Sequence, residues 1–241
     1  MSAADLRRAL SVVDLTRLER PDDAPAIDAL AAKAVTPSGR VAAICIYPEW
    51  VARVLSAGVP VAAVANFPAG EDDPDLATRE AAGAVEAGAA EIDVVVPWRA
   101  FALGDDAAIE RVVSATRAAI GTGVGLKAIL ETGSLEGAGA IRAAGEQALA
   151  AGADFLKTST GKVGLGASLP ATRVLLEVVR DAGRGGVKAS GGVRTADDAA
   201  EYLALADEVM GAGWATPERF RIGASSLVDD LLARLADEEA P

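Results

Sequence analysis

The chain contains no histidine, a single cysteine, and only five lysines among its 23 basic residues. Without histidine a Ser-His-Asp triad is impossible. A zinc site would need three or more carboxylate ligands, an unusual set, so no metal is expected. Acid–base work falls to Asp, Glu, Lys, Tyr or water. One cysteine excludes an intrachain disulfide. That residue, Cys45, lies in the apolar run VAAICIYP and reads as an inert buried thiol. Aromatic residues make up 4% of the 241 residues, so the core is expected to be aliphatic. No apolar run approaches the ~18 residues that span a bilayer. The opening MSAADLRRALSVVDL lacks the pattern of a secretory signal. A cytoplasmic protein without a membrane partner is expected. A net charge of -12 with no basic stripe argues against nucleic acid as a partner and is consistent with simple solubility.

The scarce lysines are placed unevenly. Three of them, Lys127, Lys157 and Lys188, interrupt short apolar runs in GLKAILE, DFLKTS and GVKAS. Apart from Lys33 and Lys162, the chain uses arginine for positive charge elsewhere. Arginine stays protonated, whereas a desolvated lysine can lose its proton and act as an amine nucleophile or a base. Lysines inside strands therefore point to amine chemistry.

Strand-like runs alternate with Ala-rich segments of helical period. The runs are 11–16, 41–47, 60–67, 91–97, 125–131, 154–159, 186–190 and 220–225. Helices are expected over 24–36, 48–57, 74–88, 105–120, 134–151, 168–182, 195–206 and 224–236, several opening on Pro, Ser, Thr or Asp in capping positions. Eight short, nearly all-apolar strands separated by helices indicate a parallel sheet. In a chain of this length they match a single-domain (β/α)8 barrel spanning 1–241. No G-x-G-x-x-G follows the first strand, which weakens a dinucleotide-binding reading. An acidic tail at about 236–241 is expected to fray.

Active sites of such barrels lie at the C-terminal ends of the strands. Polar residues there are the ones to examine: Asp14, Asn66, Asp93, Lys127, Glu131, Lys157, Lys188 and Ser225. The three lysines come from strands five, six and seven, which are neighbours. If they converge, mutual repulsion and desolvation lower their pKa values and leave free amine. A barrel interior can also hold a lysine paired with carboxylates for structural reasons alone. Asp93, in EIDVVVP, reads as a salt-bridge partner, a proton shuttle or both; Asp14, in VVDLT, reads as a partner for a substrate hydroxyl or a lysine, with a structural role as the alternative. Glu131 is a helper at a strand end rather than the principal base.

The last third carries a phosphate-site pattern. STGK (159–162), SGGVR (190–194) and GASS (223–226) follow three successive strands, and the last opens a helix. Glycines let backbone N–H groups approach an anion, and a helix N-terminus adds partial positive charge. Thr160 and Lys162 belong to this set, Lys162 supplying charge. An amine nucleophile, a carboxylate relay and a phosphate anchor together describe a Schiff-base aldolase acting on a phosphorylated sugar, with no cofactor required.

The strings VVDLTRL, TPSGRVAAICIYP, VANFPAG, EIDVVVPWRA, LKAILETG, AGADFLKTSTGK, GGVRTADDA and RIGASSLVDDLL are similar to the 2-deoxyribose-5-phosphate aldolase family, in the longer of its bacterial forms. The similarity runs over nearly the whole chain, and DFLKTSTGK followed by K-x-x-GGVRT is highly specific. It implies a (β/α)8 barrel and reversible cleavage of 2-deoxy-D-ribose 5-phosphate to acetaldehyde and D-glyceraldehyde 3-phosphate, in deoxynucleoside catabolism. It also implies that Lys157 forms the Schiff base, Lys188 tunes it and exchanges protons, Asp93 relays protons, and Lys127 is a supporting active-site charge. Phosphate contacts fall on Gly161, Lys162, Gly191, Gly192, Gly223, Ser225 and Ser226. Asp14 and Thr16, with Cys45 alongside, match the aldehyde end of the pocket. Dimers are common in the family, which makes a homodimer one option, but no interface can be read in the sequence. Lys33 has no role in this scheme.

Two departures stand out. Ala189 and Ser190 replace the family's usual proline and alanine, which loosens the turn by about 0.5–1 kcal/mol of unfolded-state entropy. The family's mobile C-terminal tyrosine has no counterpart, the tyrosines here being Tyr47 and Tyr202. A neighbouring Schiff-base enzyme such as a transaldolase, or a silent phosphate-binding barrel, are the alternatives; turnover of 2-deoxyribose 5-phosphate separates them. Proton exchange at the acetaldehyde-derived carbon is expected to depend on Asp93, Lys188 and ordered water. Deleting 236–241 should then leave deuterium exchange at that carbon unchanged, and a sharp loss would refute this.

Overall fold

The computed structural model describes residues 1–238. Eight of its ten strands close into a parallel barrel: β1 (Val13–Thr16), β4 (Ala43–Ile46), β5 (Val61–Ala65), β6 (Glu91–Val95), β7 (Gly125–Ile129), β8 (Phe155–Lys157), β9 (Gly186–Ser190) and β10 (Phe220–Ala224). Going round from β1, its neighbours are β4 on one side and β10 on the other, with the rest in chain order between them. All eight fall within the runs expected from the sequence.

The helices are α1 (Ala3–Ser11), α2 (Ala24–Ala32), α3 (Val51–Val54), α4 (Pro74–Glu86), α5 (Trp98–Ala102), α6 (Ala108–Ile120), α7 (Gly137–Ala150), α8 (Leu169–Ala182), α9 (Ala196–Met210) and α10 (Leu227–Glu238). Their starts follow side-chain capping. Asp23, Asp73, Ser168 and Thr195 each accept a backbone N–H at the head of α2, α4, α8 and α9. Prolines in the first turn of α2, α4 and α8 lose no intrahelical bond there.

Three expectations need correction. The helix expected over 24–36 stops at Ala32. The chain then turns into an antiparallel hairpin, β2 (Val35–Thr36) with β3 (Gly39–Arg40), closed by the Thr36 hydroxyl on the Gly39 carbonyl. Ser11 ends helix α1 rather than opening the first strand, a helix set by the Ser2–Asp5 capping box that the strand-like SVVDLT conceals. The segment 48–57 is a short helix flanked by two tighter 3-10 turns. Of the acidic tail, 236–238 complete α10, and 239–241 lie outside the described residues.

Strand alternation divides the molecule. Ile44, Ile46, Ile92, Val94, Leu126, Ala128, Leu156, Val187 and Ile222 point outward and join Leu6, Leu10, Ile109, Val112, Leu175, Leu176, Leu227 and Leu231 of the helices in one large apolar cluster. A second, small cluster of Leu18, Cys45, Tyr47, Ala62 and Val64 marks one side of the interior. The other side is ionic. Among the described residues, no helix is long and apolar enough to cross a membrane.

Candidate active site

The inward positions of β1, β6, β7, β8, β9 and β10 carry Asp14, Glu91, Asp93, Lys127, Lys157, Lys188 and Arg221. Register aligns them: Asp93 lies beside Lys127, Lys157 beside Lys188, and Lys188 beside Arg221. The three lysines do converge, and they converge on one carboxylate. Asp93 Oδ1 accepts from Lys127 Nζ at 2.8 Å, while Oδ2 accepts from Lys157 Nζ at 2.8 Å and Lys188 Nζ at 2.7 Å. Cys45 Sγ approaches the same Oδ2 at 3.7 Å.

The remaining contacts form a chain across the barrel. Lys188 also meets Asp14 at 2.6 Å, and Asp14 in turn receives Arg221 at 2.6 Å. Arg221 reaches Glu91 at 2.8 Å, and Glu91 closes the circuit on Lys127, which lies 3.9 Å from Asp14 as well. Asp14, Asp93 and Lys188 are completely buried. Such charges persist only when paired and hydrogen-bonded. Gly223 makes room for the cluster: a β-carbon there would fall 2.2 Å from Ser190 Oγ and 3.1 Å from Lys188 Cε.

Burial opposes the charge on Asp14, but Lys188, Arg221 and Lys127 outweigh it and hold the carboxyl below the usual carboxylate range. For Asp93, the three lysines outweigh burial in the same way. The expectation of weakly held ammonium groups is overturned for two lysines. Burial disfavours their charge, yet Asp93, Glu91 and Asp14 raise the pKa of Lys127, and Asp14 and Asp93 raise that of Lys188 well above the usual lysine value. Interleaved carboxylates, invisible in a count of lysines, replace repulsion with attraction. Burial pushes the Cys45 thiol up.

Above this layer opens a cavity of about 310 Å³ with Lys157 in its wall. Thr16, Thr160, Gly161, Lys162, Gly191, Gly192, Gly223 and Ser225 also line it, as expected from the sequence. Ser226 is exposed and does not line it, whereas Asp14 and Cys45 lie buried beside the lysine cluster. Lys162 Nζ points to Glu19 at 3.3 Å. An adjoining recess of about 410 Å³ shares Thr16, Glu19 and Ser225; it is larger but does not reach any of the three strand lysines. Lys33, which sequence reasoning left without a role, pairs with Asp229 at 2.7 Å on the surface. Asn66 is buried and ties the Glu71 and Val95 carbonyls together with its side-chain amide. Among the described residues, no group of histidine, cysteine and acidic side chains is arranged to hold a metal ion.

A model of the DeoC/LacD aldolase family matches residues 8–232. The chain belongs to that family and is an aldolase. The structure of a tetrameric deoxyribose phosphate aldolase from Aeropyrum pernix is 28% identical, with a TM-score of 0.77 over 97% of this chain and 98% of that one. A protein of Coccidioides immitis provisionally named a deoxyribose-phosphate aldolase is 30% identical, with a TM-score of 0.83 over 95% of this chain and 86% of that one. A similarly named Toxoplasma gondii ME49 protein superposes at a TM-score of 0.90 over 99% and 96% of the two chains, but at 24% identity it speaks to the fold alone.

Sequence reasoning missed Glu91, Arg221, Glu19 and Arg194 in this aldolase. The first two were detectable, since each stands two residues from an inward position on its own strand: Glu91 from Asp93, and Arg221 from Gly223. Glu19 and Arg194 line the cavity from loops and carried no periodic signal. Asp14 and Asp93 have depressed native pKa values, so they contribute stability above the unfolded carboxylate value of about 4, which is lost as pH falls through their lower native values. Urea midpoints should therefore fall as pH drops below about 4, and Asp14→Asn should flatten that limb. At pH 7, Arg221→Met should cost about 3–5 kcal/mol by leaving the buried Asp14 and the partly buried Glu91 short of a partner. Unchanged urea midpoints would contradict this account of the cluster.

Proposed function

We propose that this aldolase cleaves 2-deoxy-D-ribose 5-phosphate reversibly to acetaldehyde and D-glyceraldehyde 3-phosphate through a Schiff base on Lys157. The observation that carries this reading is an inequality within the ionic cluster. Four cations face three carboxylates. Lys127 meets three of them, Lys188 two and Arg221 two, while Lys157 meets Asp93 alone. Lys157 is also the strand lysine that lines the cavity.

The other residues lining that cavity suit a phosphate. Gly161, Gly191, Gly192 and Gly223 bring backbone to its surface, and Lys162, Arg194 and Ser225 add charge and a hydroxyl. Fixed charge of this kind binds a phosphate monoester.

The chemistry follows from these positions. The neutral Lys157 amine attacks C1 of the open-chain sugar, and loss of water gives an iminium. Removal of the C3 hydroxyl proton breaks the C2–C3 bond, its electron pair entering the iminium to form an enamine, and glyceraldehyde 3-phosphate departs. Asp93, 2.8 Å from Lys157 and 2.7 Å from Lys188, relays the proton through water. Lys188, kept protonated by Asp14 and Asp93, returns a proton to C2. Water then hydrolyses the second iminium and releases acetaldehyde. The iminium is the electron sink throughout, so no step calls for a metal or cofactor.

Lys157→Met should abolish acetaldehyde release from 2-deoxyribose 5-phosphate, a loss of at least about 10⁴-fold set by the missing covalent route. Lys188→Met should lower kcat with a smaller effect on KM. Cleavage by Lys157→Met at more than about a tenth of the wild-type rate would overturn the assignment.

A further inference from the structure

Glu131 is a buried acid that the proposed reaction does not use. It lies two residues beyond β7, is fully inaccessible, and holds a left-handed backbone with φ of 51°, a conformation costly for a side chain with a β-carbon. Its Oε2 accepts the Thr160 N–H at 3.2 Å, and the Thr160 hydroxyl bears on the same carboxyl. That hydroxyl oxygen accepts the Lys162 N–H at 3.0 Å. The other carboxyl oxygen of Glu131, Oε1, has no partner among the described residues, and no cation pairs with the group. Burial raises its pKa, with only partial relief from Thr160.

A left-handed backbone and an incompletely satisfied buried carboxyl both cost stability, and such costs cluster at functional sites. The contacts show where that function lies. Thr160, Gly161 and Lys162 line the same cavity as Lys157, which stands three residues before Thr160 on the same stretch of chain. The left-handed turn also feeds the chain into 132–134, where Gly133 packs so tightly on Leu165 that a β-carbon would fall 2.4 Å from its carbonyl oxygen. The Thr132 N–H binds the Thr158 carbonyl at 2.8 Å. The end of β7 thus braces the whole stretch from 158 to 165.

We propose that Glu131 is a positioning residue for the phosphate end of the site: through Thr160 it fixes the Gly161–Lys162 turn at a set distance from Lys157. This rests on the phosphorylated-sugar reading above. Glu131 touches no substrate, and its effect is selective. It sets how well phosphate binding is aligned with the amine and has no part in amine chemistry.

The test compares 2-deoxyribose 5-phosphate with unphosphorylated 2-deoxyribose as substrates for four enzymes: wild type, Glu131→Met, Glu131→Gln and Thr160→Val. Glu131→Met should raise KM for the phosphorylated sugar about tenfold, as expected for a lost hydrogen bond to a polar acceptor. Its kcat/KM for the unphosphorylated sugar should stay within about twofold of wild type. Glu131→Gln keeps an acceptor oxygen for Thr160 and should restore KM. Thr160→Val should reproduce the Glu131→Met effect, and the double variant should be no worse than either. A parallel fall for both sugars, a Gln variant as impaired as Met, or additive single effects would each overturn the inference. Should Glu131→Met fail to fold, the Gln and Thr160→Val arms still decide it. If wild type shows no preference for the phosphorylated sugar, the substrate reading itself falls, whereas a wild-type preference left intact in Glu131→Met and Thr160→Val removes Glu131 alone.

Discussion

Everything in the site hangs on the carboxylate of Asp93, which is shared by three lysines at hydrogen-bonding distance. A buried carboxylate alone would be expelled or protonated. Three buried ammonium groups alone would repel one another and lose their protons. Together they form a set in which each member's burial is tolerable only because the others are present. That mutual dependence extends through Asp14, Glu91 and Arg221 to β1 and β10, so the cluster links six strands of the closed barrel. Replacing such a network with aliphatic side chains is often neutral or stabilising. Its presence points to chemistry more than to stability.

The barrel separates two demands that are hard to satisfy at once. Stability comes from the outward strand faces, where isoleucine, leucine and valine pack on the helices. The inward faces are then free to hold ions whose geometry is set by strand register instead of by flexible loops. Lysine side chains are long, and in solution their ordering costs considerable entropy. Here the register and the ion pairs to Asp14 and Asp93 confine Lys188, and the absence of a side chain at Gly223 leaves room for it. The elements proposed to bind phosphate, by contrast, come from the turns beyond β8, β9 and β10, where glycines bring backbone to the cavity surface. Lysine cluster and glycine turns lie at adjoining levels of one cavity, and Glu131 braces the turn between them.

Much of this was legible in the sequence because two signals were strong. Short apolar runs at regular spacing revealed all eight barrel strands, and lysines in a lysine-poor chain marked three inward positions. The hairpin after α2 was not legible, because Ala31–Ala32–Lys33–Ala34 continues a helical pattern and the turn depends on the Thr36–Gly39 contact. The electrostatic character of the site was misjudged for a physical reason: a lysine's proton affinity is decided by the carboxylates that face it, and those come from other strands. Glu91 and Arg221 stand near strand starts, away from the ends where catalytic groups were sought, yet they orient the residues that reach those ends. Family resemblance, rather than spacing, singled out Lys157 as the expected Schiff-base lysine.

The central claim is that Lys157, the member of the cluster with a single ionic partner, is the amine that reacts. Borohydride reduction in the presence of acetaldehyde, followed by peptide mass mapping, tests it directly. The account predicts a reduced two-carbon adduct on Lys157, with Lys127 and Lys188 unmodified. An adduct confined to Lys188 or Lys127, or none on any lysine, would contradict it.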